Sequence, residues 1–79
     1  MDICERVIKV LSEVLNIDPV EIHYDDDFET DLGIDSLDVV EVIDGLEQEF
    51  GIRIEDSDIK EIHVVNDLIE NIKNRKLER

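Results

Sequence analysis

The stretch "DLGIDSLDVVEVIDGLEQEFG", residues 31–51, sets a glycine turn and an acid–hydroxyl pair ahead of a run with helical spacing. At about 100° per residue, Val39, Val42, Ile43, Leu46 and Phe50 fall on one side and are expected to face a core. The spacing predicts a helix from about Ser36 to Phe50. Asp35 is its N-cap, Asp38 lies at its positive end, and Gly51 forms a left-handed cap. Leu37, Val40, Glu41, Asp44, Glu47 and Gln48 fall on the opposite side. Two apolar side chains therefore stand on an acidic face beside Ser36. An apolar centre with a charged rim is the usual construction of a partner surface.

Upstream, "ICERVIKVLSEVL" places Ile3, Val7, Val10, Leu11 and Val14 on one helical face. Asp2 can cap its start, and Pro19 biases Asp18 away from helical angles, so "NIDP" ends it. Residues 16–35 form a connection too long for a structureless loop in a small domain. The placement of Ile17, Val20, Ile22, Phe28 and Leu32 predicts an ordered loop pinned to the core. Downstream, a short turn is expected near Asp56–Ile62. A last helix follows from about Val65 to Lys76, with Val65, Leu68, Ile69 and Ile72 inward. Its basic end (Lys73, Arg75, Lys76) complements the helix dipole. Without repeat or linker, the expectation is one all-α domain over residues 1–79. It is a small antiparallel bundle of three main helices plus one short helix, with a long ordered loop between helices 1 and 2.

The chain has 79 residues, 23 acids and 8 Lys and Arg, for a formal net charge of −15. Between Val10 and Ile52 there is no Lys or Arg at all. Nucleic-acid binding needs the opposite sign, and an anionic membrane surface repels this chain. A partner with a basic patch, found by electrostatic steering, fits instead. The single cysteine, Cys4, suits a reducing compartment, and no signal peptide or spanning apolar run is present, so a cytoplasmic monomer is expected.

Several chemistries are weak on these residues. "DDDFETD" invites a calcium reading, but no register gives the EF-hand glycine together with its distal Glu. His23 and His63 lack zinc-spaced partners. "GIDSL" is no nucleophile elbow, and the chain is too short to enclose a catalytic pocket. Cys4 adjoins the apolar face of helix one and reads as a packing residue. Ser36, on spacing alone, reads first as a residue that helps start a helix. A helix N-terminus nevertheless accommodates a covalently attached phosphate, and Gly33 permits a turn that leaves Ser36 in solvent.

"DLGIDSLDVVEVIDGLEQEFGIRI" resembles the acyl carrier proteins, whose hallmark is Asp-Ser-Leu at the start of the second helix. The similarity extends through "ERV" in the first helix, Phe28 and Leu32 in the loop, Ile62, and "ND" leading into the last helix. It covers nearly the whole chain. The resemblance implies that a phosphopantetheinyl transferase attaches 4′-phosphopantetheine from coenzyme A to Ser36 through a phosphodiester. The terminal thiol of that arm then holds acyl groups as thioesters, and the carrier itself is not an enzyme. It further implies that Asp35, Asp38, Glu41 and Glu47 meet basic patches on synthases, acyltransferases or acyl-activating enzymes of fatty acid or related lipid and secondary-metabolite biosynthesis. Leu37 and Val40 lie among them. Phe28, Leu46, Ile54 and Ile62 match interior positions that shelter an acyl chain.

Departures from the family pattern are also readable. Asp44 replaces an exposed apolar residue on the face that partners read. Gly45 stands where alanine is common, at a helix cost of about 1 kcal/mol. Arg53 falls in a usually acidic stretch. His63 and Val64 replace a Thr-Thr pair before the last helix and remove its hydroxyl cap, which Asp67 partly offsets. These point to a specialised rather than a housekeeping carrier. An aminoacyl or polyketide carrier is a second reading, though Ile34-Asp35-Ser36 differs from the Gly-Gly-x-Ser of aminoacyl carriers. An acidic, non-enzymatic interaction module with the same fold is a third.

Overall fold

The computed structural model describes residues 2–77, with side chains through Arg75. Helix α1 spans Ile3–Leu15, α2 Ser36–Phe50, α3 Asp56–Ile59 and α4 Val65–Leu77. Among the described residues there is no strand, only an isolated antiparallel bridge between Asp27 and Val64. The architecture is a small all-α bundle, as the periodicity predicts. The Lys76 side chain of the expected basic end lies outside the described residues.

Helices α1 and α2 begin and end for local reasons. Asp2 accepts from the Glu5 amide at 2.8 Å, and Glu5 returns the bond to the Asp2 amide, which closes a capping box. The end of α1 is set by Asn16, left-handed at φ 58°, and not by Pro19. The Asn16 and Ile17 amides both donate to the Ser12 carbonyl, and the Ser12 hydroxyl donates to the Ile17 carbonyl at 2.6 Å. Pro19 instead opens a 3₁₀ turn, Pro19–Glu21, capped by Asp18. Gly51, at φ 64°, ends α2 with its amide on the Glu47 carbonyl.

Apolar stripes from three helices meet in one core. Val7, Val10 and Leu11 come from α1, Val42, Leu46 and Phe50 from α2, and Val65, Leu68, Ile69 and Ile72 from α4. Ile22, Phe28 and Ile54 complete it from the connections, and no polar side chain is buried among the described residues. Val20, expected to help pin the long connection, is 76% exposed, because the 3₁₀ turn aims it outward. Ile22 and Phe28 do the pinning. Gly45 sits where α1 and α2 pack closely: a Cβ there would lie 3.1 Å from Val10 Cγ1, so a larger residue would require that side chain to shift by a few tenths of an ångström.

The connection is also fastened to the start of α4 by main-chain bonds. The Phe28 amide donates to the His63 carbonyl, the Val65 amide to Asp26, and the Asn66 amide to Tyr24 at 2.8 Å. Two of the four unpaired amides that open any α-helix are thus satisfied by a segment distant in sequence. Helix α3 itself is tied to α4 by Arg75, whose guanidinium pairs with Asp58 and donates to Asn71. On the other side of the molecule, Arg6 bridges α1 and α2. It donates to the Glu49 carboxylate and carbonyl, both at 2.8 Å, and lies 4.5 Å over the Phe50 ring.

Candidate functional site: the start of helix α2 and the cleft beside it

The approach to α2 is fixed before the helix begins. Gly33 takes φ 64°, a conformation that disfavours side chains, and the Ile34 amide donates to the Phe28 carbonyl at 3.0 Å. Asp35 is then extended, and its carboxylate accepts from the Asp38 amide at 3.0 Å while Asp38 accepts from the Asp35 amide at 3.2 Å. The capping role therefore belongs to Asp35 and Asp38. Ser36, the first helical residue, is exposed and is not the cap. Among the described residues, neither its hydroxyl nor the amides of Ser36 and Leu37 make a hydrogen bond. An accessible hydroxyl, two open amides and a positive helix end form the donor set that a covalently attached phosphodiester needs. The residues fit the group.

Leu37 and Val40 project from the same helix at 73% and 66% exposure. Glu41 is exposed beside them, and Asp44 is exposed with its carboxylate held by Gln48 Nε2 at 2.9 Å. Glu47 differs from its neighbours. It is half-buried, and its carboxylate accepts from the Ile54 amide at 2.7 Å, which fastens the segment after α2 to the helix. Its oxygen is engaged inside the molecule, so it is less open to a partner than the sequence pattern suggests.

Next to this helix start lies a cleft of about 490 Å³. Its apolar lining comes from Phe28 and Ile34 before α2, Val39, Val42 and Ile43 of α2, and Ile59, Ile62 and Leu68 from α3, the turn after it and α4. Of the four interior residues named by resemblance, Phe28 and Ile62 line this cleft. Leu46 and Ile54 are buried in the core and do not line it. Val39 and Ile43, expected in the core, are only half-buried because they face the cleft. The remaining lining (Asp27, Glu29, Thr30, Lys60 and His63) is polar and was not legible in the sequence. No spacing signal connects residues 27–30 with 60–63.

Two carboxylates hold the backbone around the cleft. Asp27 accepts from the amides of Thr30 and Glu29, bonds that keep its carboxyl below the usual carboxylate range. Asp67 accepts from the amides of His63 and Val64 and is lowered for the same reason. Asp26 and Asp31 likewise turn their oxygens to the amides of His23 and Asp27. The acidic run "DDDFETD" is thus largely a set of turn caps.

The family model described as "Phosphopantetheine attachment site" matches residues 5–72. The chain is 40% identical over 76 residues to the acyl carrier protein of Solidesulfovibrio magneticus, covering 96% of this chain and 97% of that protein. It is 42% identical over 77 residues to the acyl carrier protein of Helicobacter pylori, covering 98% and 99%. The acyl carrier protein of Helicobacter acinonychis matches at the same identity and coverage. With its helical bundle and a serine open to phosphodiester attachment, the chain belongs to the acyl carrier protein family, whose members carry acyl groups as thioesters on covalent 4′-phosphopantetheine and present them to acyl-chain biosynthetic enzymes.

Proposed function

We propose that Ser36 is the residue that bears the arm. The observation that carries this reading is the division of labour at the start of α2: Asp35 and Asp38 cap the helix, leaving the Ser36 hydroxyl exposed. The phosphodiester is then made on Ser36 Oγ, beside amides that favour its negative charge. The bound group supplies a thiol on a long, flexible arm. Everything else is the work of the chain: it displays the serine, presents a surface to partners, and offers an apolar cleft. It acts as a carrier and performs no bond-making step.

The partner surface consists of Leu37 and Val40 as apolar contacts, with Asp35, Asp38, Glu41 and Asp44 as its charged rim and Glu47 at its inner edge. It suits the basic patches of a phosphopantetheinyl transferase and of synthases, acyltransferases or acyl-activating enzymes. Phe28 and Ile62 contact a sheltered acyl chain directly, while Leu46 and Ile54 back the cleft from the core. Residues 1–79 act as one carrier domain, as a monomer in the cytoplasm; no described helix is long and apolar enough to cross a membrane. Asp44 supports a specialised role, since it puts a charge where partners of the general pathway meet an apolar side chain.

The test is intact mass after incubation with coenzyme A and a broad-specificity phosphopantetheinyl transferase. A single phosphopantetheine addition is expected on the wild type and none on Ser36→Ala. An unmodified wild-type protein, or an addition that persists in Ser36→Ala, overturns the assignment.

A further inference from the structure

The cleft beside α2 is graded from polar to apolar, and the gradient constrains its occupant. Phe28, Val42 and Leu68 are buried at its inner end, whereas Glu29, Thr30, Lys60 and His63 are exposed at its mouth. In a chain of net charge −15, the mouth brings together two of the few groups able to carry positive charge. Among the described residues, neither the Lys60 ammonium nor the His63 ring has a hydrogen bond or ion pair. The same lining includes Thr30, with its hydroxyl, and the carboxylate residues Glu29 and Asp27, the latter held by the amides of residues 29 and 30.

Such a rim holds both donors and acceptors. A plain alkyl chain passing it displaces water and returns no hydrogen bond. A carboxylate would find Lys60 but would also meet Asp27, Glu29 and the field of the whole chain. A hydroxyl satisfies both sides, because it accepts from Lys60 or His63 and donates to Glu29 or Thr30. The tail of an acyl chain fills the apolar inner end, so the carbons crossing the mouth are those nearest the thioester. We propose that this cleft selects acyl chains hydroxylated close to the thioester, with Lys60 and His63 as the specificity-determining residues. The proposal rests on attachment of the arm at Ser36.

The test uses a broad-specificity phosphopantetheinyl transferase to load wild type and a Lys60→Met/His63→Val double variant from decanoyl-coenzyme A and from 3-hydroxydecanoyl-coenzyme A, with intact mass reporting the attachment. Melting temperatures are then compared. One net hydrogen bond moves the melting of a domain this size by about 4–8 °C. The hydroxylated chain should raise the wild-type Tm above that of the decanoyl form by about this amount, and the double variant should lose the difference. Both side chains are exposed, so the variant keeps the core and the backbone bonds of His63. A second readout needs no variant: the wild-type His63 ring resonances should shift between the two loaded forms. Equal or lower Tm with the hydroxylated chain, a difference that survives in the double variant, or unmoved His63 resonances each overturn the proposal. Absence of any mass addition overturns the Ser36 attachment itself, and with it this reading.

Discussion

Glu41 and Glu47 stand on the same acidic side of α2, fewer than two turns apart, yet their surroundings give them different work. Glu41 is exposed and, among the described residues, bonds to no side chain or amide. Glu47 holds the Ile54 amide at 2.7 Å in a half-buried position, so removing it leaves that donor unsatisfied, a loss of about 1–3 kcal/mol. Glu47→Ala should therefore lower Tm by about 5 °C or more, while Glu41→Ala, a surface change, should stay within about 0.5 kcal/mol of wild type. Thermal melts of the two variants check this, and equal melting temperatures contradict it. Only Glu41→Ala then isolates partner binding from stability. Asp44 is the residue through which partner choice is expected to run. Its carboxylate adds negative charge to the exposed face and is held in place by Gln48. Asp44→Met restores a flexible apolar contact there. It should increase turnover with synthase enzymes of general fatty-acid assembly, measured as the rate of acyl transfer at fixed carrier concentration. Unchanged kinetics would leave Asp44 without that role.

At the scale of elements, the start of α4 shows why a cap missing from the sequence need not be missing from the structure. His63 and Val64 offer no hydroxyl, but Asp67 folds back to accept from both of their amides, at 3.0 and 3.1 Å. The next two amides, of Val65 and Asn66, are taken by carbonyls of the long connection. Asp67 has a carboxyl pKa lowered by those two backbone bonds, so its ionised form is favoured in the folded state. A group depressed on folding stabilises fully above the ordinary carboxylate range and loses that contribution as pH falls through the depressed value. Asp67→Ala should melt below wild type at neutral pH, by about 4–8 °C for a lost cap near 1 kcal/mol, and the gap should close as pH drops beneath the usual range. A gap that persists at low pH would assign the loss to something other than the charge. The helices themselves were legible because each carries an apolar stripe of period 3.6 and its own punctuation: Asp35 before α2, Gly51 after it, Asp2 before α1. The same logic found the exposed Leu37 and Val40. The bonds between residues 24–28 and 63–66, and the cleft mouth they help to shape, leave no periodic trace, since they pair backbone groups whose side chains are free to vary. Val20 misled for a related reason. Periodicity assumes a continuous element, and Pro19 interrupts it with a tight turn.

For the whole molecule, the same acids act in opposite directions on stability and on partner encounter. A net charge of −15 on a body with a Cα radius of gyration of 11.4 Å places many carboxylates within a Debye length of one another, about 8 Å at physiological ionic strength. Their mutual repulsion opposes the compact state, and the unfolded chain relieves it by expanding. The attractive pairs are too few to balance it: Arg6 with Glu49, Arg53 with Glu55, and Arg75 with Asp58 are the Lys and Arg ion pairs among the described residues. Screening should weaken the sum of repulsions more than these few contacts. Tm is therefore expected to rise steadily as sodium chloride is raised from low ionic strength to about 0.5 M. The association rate with a basic phosphopantetheinyl transferase should fall over the same range, because steering by the acidic face of α2 is lost. Measuring both on one sample separates this account from a general effect of salt on folding. A generic strengthening of apolar burial would raise Tm without slowing association, and a Tm independent of salt would show that the acidic surface exacts no cost in stability.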